Sequence, residues 1–163
     1  MVWGEHEGRL RTAVLALKHA GRDELARPLG QRLAGLVARQ PWLEDLDVVT
    51  AIPSHPYHRV RRGWVAAELV ARVTAGELGR PFARLMRRRG LTRQAGRDRA
   101  ERLRLPSHRL SARSELPGST VLVVDDVVTT GSTFRAAARA LTGAGARGVY
   151  CAAVSRTPSR GGR

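Results

Sequence analysis

The sequence predicts an α/β fold, a mainly parallel sheet flanked by helices with a mobile basic loop, and three observations carry that expectation. Helix-like and strand-like segments alternate along the chain, which implies parallel pairing through helical crossovers. Residues 121–124, Val-Leu-Val-Val, are consecutive apolar and mostly β-branched, a run suited to a strand buried on both faces. That run ends in Asp125 and Asp126, after which small hydroxyl residues and a glycine open a helical pattern. In parallel sheets of this kind ligands bind at the carboxyl ends of strands.

Each element follows from local pattern. Residues 8–20 place Leu10, Ala13, Val14, Leu17 and Ala20 on one helical face, and Gly21 can end that helix. A second helix is expected over 23–39, with Pro28 breaking or kinking its first turns. Residues 47–52 read as a strand stopped by Pro53. Residues 64–78 are helical with Ala67, Val70, Ala71 and Leu78 facing inward, and 82–86 form a short strand. Residues 87–113 are polar, lack a period and constitute the mobile basic loop. The strand at 121–124 is central, 134–141 is the next helix and 149–154 the next strand, with Cys151 buried in it. Gly143, Gly145 and Gly148 fit the letters of a dinucleotide fingerprint. They follow a helix and precede a strand, the reverse of its required context, and so mark helix termination and a tight turn. One domain is expected over 1–163, with 1–7 and 155–163 frayed.

Composition narrows the function classes. No apolar stretch approaches the roughly 20 residues of a membrane span, and residues 1–5 lack the basic and apolar regions of a secretory signal. A cytoplasmic protein is expected. A single cysteine, Cys151, excludes a disulfide within the chain and a cysteine-based zinc site. The formal net charge is +15. Between residues 53 and 113 sixteen arginines face four acids, so most of the excess is concentrated there, and Lys18 is the only lysine. Such a field favours polyanions, a diphosphate or a nucleic acid; the alternative is a solvated arginine-rich surface.

Residues 121–133 carry the sharpest chemistry. Backbone N–H groups at the start of a helix favour an anion, Thr129, Thr130, Ser132 and Thr133 add hydroxyl donors, and Gly131 permits close backbone approach. Carboxylates only accept hydrogen bonds, so Asp125 and Asp126 suit the hydroxyls of a sugar. A capped helix after a buried strand, with Asp126 an ordinary turn residue, is the plainer reading, but capping needs neither two adjacent acids nor four hydroxyl residues. Both acids reach one sugar only where the strand bends into the loop. Residues 52–63 form a second loop after a strand, with three arginines able to make bidentate phosphate contacts. His55 and His58 raise a metal site as an alternative, without a third ligand nearby.

The segment 121–133 resembles the phosphoribosyl-diphosphate motif of type I phosphoribosyltransferases. A narrower resemblance, to the ComF family of competence-associated phosphoribosyltransferase-like proteins, rests on four segments in order: Leu17-Lys-His-Ala-Gly21, Pro53-Ser-His55 with Arg62-Gly-Trp-Val-Ala-Ala-Glu-Leu69, Leu91-Thr-Arg-Gln94 with Arg99-Ala-Glu-Arg102, and the acidic motif itself. The chain departs from that family in lacking its cysteine-rich zinc module, in Val65 and Ala66 for Asn-Gln, and in Arg97 and Leu105 for leucine and asparagine.

The resemblance implies a type I phosphoribosyltransferase-like fold and a protein that binds phosphoribosyl diphosphate. Asp125 and Asp126 would act as catalytic residues holding the ribose 2′ and 3′ hydroxyls, while Val128, Thr129, Thr130, Gly131, Ser132 and Thr133 grip the 5′-phosphate. Pro53, Ser54, His55, Arg59, Arg61, Arg62 and Gly63 would take the diphosphate, and Arg89, Thr92, Gln94, Arg99 and Arg102 belong to a flexible loop closing over the site. Mg²⁺ would enter through the ligand's oxygens with no protein metal site. The activity implied is transfer of phosphoribosyl to an acceptor with release of diphosphate. The rival is a non-catalytic sensor or scaffold holding single-stranded DNA and competence proteins during DNA uptake. Stacking aromatics in the basic stretch are limited to Tyr57, Trp64 and Phe82. A nucleotide-synthesis regulator on the same fold would need a DNA-binding helical module, which the sequence does not show.

Replacing Arg61 and Arg62 together by alanine is expected to weaken diphosphate binding far more than ribose 5-phosphate binding in calorimetric titrations. Equal losses for the two ligands would remove these arginines from the diphosphate subsite.

Overall fold

A computed structural model describes residues 1–53, 65–88 and 110–158. Strand β1 (Val2–Glu5) leads into helix α1 (Gly8–His19), a 3-10 turn (Asp23–Leu25) and helix α2 (Ala26–Val37). Then come β2 (Val48–Ala51), α3 (Ala66–Glu77), β3 (Met86–Arg88), β4 (Leu110–Ala112), β5 (Thr120–Val128), α4 (Ser132–Thr142) and β6 (Gly148–Arg156). The main sheet has the order β1–β6–β5–β2 with every pairing parallel, and β3 and β4 form a separate antiparallel pair. The expected helix-flanked parallel sheet is what the chain adopts.

β5 is covered on both faces, which is why its sequence is a continuous apolar run. Leu122 and Val124 join Val14, Leu17, Leu33 and Val70 in the larger core, between the sheet and helices α1, α2 and α3. Val121 and Val123 turn the other way, onto Ala137 and Leu141 of α4 and Met86 of β3. The ladder from β2 to β5 ends at Ala51 opposite Val124, and Ile52 donates one last bond to the Val124 carbonyl at 2.9 Å. Pro53 has no N–H to continue it. β5 keeps pairing with β6 as far as Val128 opposite Arg156, so among the described residues a crevice lies beside its second half.

Several expectations need correction. Residues 1–7 are not frayed: Val2, Gly4 and Glu5 pair with Ala153, Ser155 and Arg156, and the Met1 ammonium donates to the Cys151 carbonyl at 2.6 Å. A strand of four residues is too short to show a period. At the other end Ser155 and Arg156 stay in β6, answering β1. The second helix does not run from residue 23; the 3-10 turn precedes it, and Pro28 sits in the first turn of α2, where the N–H groups have no helical partner to lose. The strand placed at 82–86 reduces to one bridge, Val49 with Phe82, and β3 itself begins at Met86. The segment 81–85 instead straps the outer edge of β2, Val49 N–H donating to the Pro81 carbonyl and Ala83 N–H to the Val49 carbonyl. Of the basic stretch 87–113, Arg87, Arg88 and 110–112 are ordered as β3 and β4, while 89–109 lie outside the described residues. Helix α4 starts at Ser132, two residues before the expected position, because Gly131 turns left-handed at its N-cap. Among the described residues no helix is long and apolar enough to cross a membrane.

Helices α2 and α3 approach closely at one glycine. A Cβ on Gly30 would lie 2.6 Å from Val73 Cβ and 3.0 Å from the Val70 carbonyl oxygen, whereas Gly35 in the same helix has open space around it. Helix propensity favours alanine at both by about 1 kcal/mol, but overpacking costs roughly 1–3 kcal/mol and wins at Gly30. Gly30→Ala is therefore expected to lower, and Gly35→Ala to raise, the denaturation midpoint in urea.

Candidate functional site

The crevice is built where β5 passes its last β2 partner. Because β5 stays regular and paired through Val128, its side chains keep alternating and the two acids leave on opposite faces. Asp126 continues the Leu122 and Val124 series toward α1, where Lys18 Nζ meets its Oδ1 at 2.8 Å. Asp125 continues the Val121 and Val123 series, on the side of Arg88 and Cys151, both of which feel its charge. The bend that would aim both carboxylates at one point does not occur before Asp126. A local contact partly compensates: the Asp126 N–H donates to Asp125 Oδ1 at 2.9 Å, curling the first carboxylate along the strand toward its carboxyl end.

The loop after β5 follows at once. Val128 closes the strand, its carbonyl accepting the Thr157 N–H at 3.0 Å. Thr129 and Thr130 are exposed. Gly131 adopts φ 71° and ψ 5° as the N-cap of α4, a left-handed conformation natural to glycine; having no side chain, it offers no acceptor to the first helical turn. Thr130 Oγ1 donates to Ser132 Oγ at 3.1 Å and accepts from the Ser132 N–H at 3.4 Å, so these hydroxyls already face one another across the turn. Arg135, one turn into α4, donates from Nη1 to the Thr130 carbonyl at 3.1 Å. The loop thus gathers hydroxyls, helix-start amides and one guanidinium within a few residues.

On the β2 side Pro53 begins the crevice wall, and its carbonyl accepts from Arg88 Nε at 2.7 Å. Ser54, His55, Arg59, Arg61, Arg62 and Gly63 lie outside the described residues, as do Arg89, Thr92, Gln94, Arg99 and Arg102. Next to Pro53 is a cavity of about 180 Å³ whose walls include Ile52, Glu68, Phe82, Met86, Arg88 and Arg113. Glu68 organises it, accepting from Arg84 Nε at 2.9 Å and Nη2 at 2.6 Å and from Arg72 Nη2 at 3.0 Å. Arg72 also lies over the Phe82 ring, 4.4 Å from its centroid. Among the described residues no group of three histidines, cysteines or acids is placed to hold a metal ion.

Three basic residues here were not nominated from sequence: Lys18, Arg88 and Arg135. Lys18 had a signal as the only lysine, within the Leu17–Gly21 segment. Arg135 had one in its i+4 spacing from Gly131, but Arg88 had nothing to separate it from its arginine neighbours.

Charge and burial set the titration of the cluster. Burial, reinforced by the Asp126 carboxylate, pushes the Asp125 carboxyl well above the ordinary range; the Asp126 N–H and Lys18 oppose this without reversing it. Burial lowers His6, and Lys18 and Arg11 lower it further against Asp126, which favours a neutral imidazole whose Nδ1 shares a 2.8 Å hydrogen bond with Ser155 Oγ. Burial pulls the Arg88 guanidinium down while Asp125 partly offsets it. For Glu68 burial acts upward, but hydrogen bonds from Arg84 and Arg72 outweigh it and hold the carboxyl below its usual range. Burial raises the Cys151 thiol to about 11, so it is no nucleophile at neutral pH.

Residues 61–163 match the family described as the phosphoribosyl transferase domain. No curated protein matches the sequence. The fold is similar to that of the B. subtilis glutamine phosphoribosylpyrophosphate amidotransferase complexed with ADP and GMP, at a TM-score of 0.58 and 22% identity over 86% of this chain and 30% of the other. It is similar also to phosphoribosylpyrophosphate synthetase from Mycobacterium smegmatis, at 0.50 and 24% over 78% of this chain and 33% of the other. Adenine phosphoribosyltransferase from Leishmania tarentolae gives 0.51 and 13% over 94% and 91%. The chain spans about a third of the length of the first two proteins, and at these identities the likeness is one of fold.

The raised Asp125 carboxyl makes stability depend on pH with a definite sign. Above the ordinary value of 3.8 the folded chain holds a proton at Asp125 that the unfolded chain has released. This contribution is therefore complete in acid and is lost as pH rises through the folded value. Asp125→Asn keeps an oxygen for the Asp126 N–H and removes the penalty. It is expected to raise the thermal midpoint at pH 7 and to leave it unchanged below pH 3.8, as measured by thermal melts across pH.

Proposed function

The chain belongs to the phosphoribosyl transferase domain family, and from that membership and the shape of the crevice we propose that it binds phosphoribosyl diphosphate. It would then transfer the phosphoribosyl group to an acceptor with release of diphosphate. The observation that carries this reading is the order of parts along β5 and α4: two acids at the strand end, then a left-handed glycine turn that starts a helix with Thr130, Ser132 and Arg135 gathered around it.

In this reading residues 128–133 hold the 5′-phosphate, where helix-start amides and hydroxyls favour an anion. Asp125 and Asp126 accept from the ribose hydroxyls. Since the two carboxylates leave β5 on opposite faces, the sugar straddles the strand end rather than lying on one side of it. The Asp126 carboxylate also favours the cationic sugar that develops as the anomeric bond to diphosphate breaks. The diphosphate faces the segment after Pro53, with Ser54, His55, Arg59, Arg61, Arg62 and Gly63, and the loop carrying Arg89, Thr92, Gln94, Arg99 and Arg102 closes over it. The protein's part is positioning and charge neutralisation. Mg²⁺ would be held mainly by ligand oxygens, and when bound the ion would neutralise the leaving group.

The four-segment resemblance supports a finer assignment to the ComF type, acting in the cytoplasm in DNA uptake alongside competence proteins. The excess of arginine between residues 53 and 113 supports a second reading, a sensor or scaffold that keeps the phosphoribosyl-diphosphate pocket and holds single-stranded DNA without turnover. Phe82, one of its three candidate stacking aromatics, is covered by Arg72.

Calorimetric titration with phosphoribosyl diphosphate, with and without Mg²⁺, tests the binding step. Ligand at a hundredfold excess over Kd should stabilise the protein by about 2.7 kcal/mol. The double variant Asp125→Asn, Asp126→Asn should fold yet lose that stabilisation, and stabilisation that survives it would overturn the ribose assignment.

A further inference from the structure

The Asp126 side chain is buried, about 10% exposed. A desolvated carboxylate is costly unless it is paired and its lone pairs are occupied. The pairing comes from outside the 61–163 segment: Lys18, in the last turn of α1, reaches Asp126 Oδ1 at 2.8 Å while its own side chain is 30% exposed. The backbone at Asp126 is fixed from a third side, Ser155 Oγ of β6 donating to its carbonyl at 3.4 Å and sharing its other contact with His6 Nδ1. The N-terminal strand and helix and β6 therefore converge on one residue of the strand end.

We propose that Lys18 is a positioning residue of the pentose subsite: it turns one Asp126 carboxylate oxygen into the protein, so that the other is presented to a ribose hydroxyl. The inference rests on the phosphoribosyl-diphosphate reading above. An ion pair serving only stability would hold α1 against the sheet and leave ligand discrimination untouched. A positioning role instead makes Lys18 and Asp126 act as one unit toward the sugar, with no bearing on the phosphate, which the 128–133 loop holds alone.

The test compares ribose 5-phosphate with inorganic phosphate by calorimetry on the full chain. Lys18→Met should weaken ribose 5-phosphate about tenfold or more, in line with the loss of a hydrogen bond to a charged group, and leave phosphate within twofold. Lys18→Arg should restore most of the loss. Should Lys18→Met fail to fold because it strands a buried carboxylate, the charge-neutral pair decides. Adding Lys18→Met to Asp126→Asn should weaken ribose 5-phosphate by less than twofold beyond Asp126→Asn alone. A further tenfold loss in that background, or a single variant that binds ribose 5-phosphate as well as the wild type, overturns the positioning role. A wild-type protein that binds neither ribose 5-phosphate nor phosphoribosyl diphosphate overturns the underlying reading as well, so the two failures are told apart.

Discussion

The alternation of side chains along β5 is the constraint from which the rest of the architecture follows. A strand buried on both faces must be apolar on both, and Val121 to Val124 satisfy that with one core toward α1, α2 and α3 and another toward α4. The same alternation does not stop where the apolar residues do. It carries Asp125 and Asp126 onto opposite faces at the strand end, so each acid inherits the surroundings of the core it follows. One meets Lys18; the other is pressed into a site where burial and its neighbour's charge favour the neutral form. Two identical residues, adjacent in sequence, thus have different electrostatic characters.

Much of the fold was legible because it rests on local pattern. The run at 121–124 and the glycines at 143–148 each announce an element through composition and period. Residues 8–20, 47–52, 64–78 and 149–154 did so within a few residues of the observed bounds. What was hidden depends on distant partners. Val2–Glu5 has no pattern of its own and is a strand only because β6 presents an open edge. The segment 82–86 has strand-like residues but is used as a strap along β2, because Pro81 supplies a carbonyl and no donor there.

The candidate site divides in the same way. The acids and the hydroxyl loop could be read directly, since their chemistry depends on a contiguous stretch. The basic partners could not. Lys18 reaches Asp126 across more than a hundred residues of sequence, and Arg88 is distinguished from Arg87 only by where β3 points it, half into the protein and against Pro53. A sequence so rich in arginine conceals its few consequential cations among many solvated ones.

Glu68 has an effect beyond the cavity it lines. It belongs to α3, the helix that follows residues 54–64, and it grips Arg84 in the strap that delivers the chain to β3. Arg72 closes the node over Phe82. The helix that follows residues 54–64 and the strap that precedes β3 are therefore tied together through a single carboxylate.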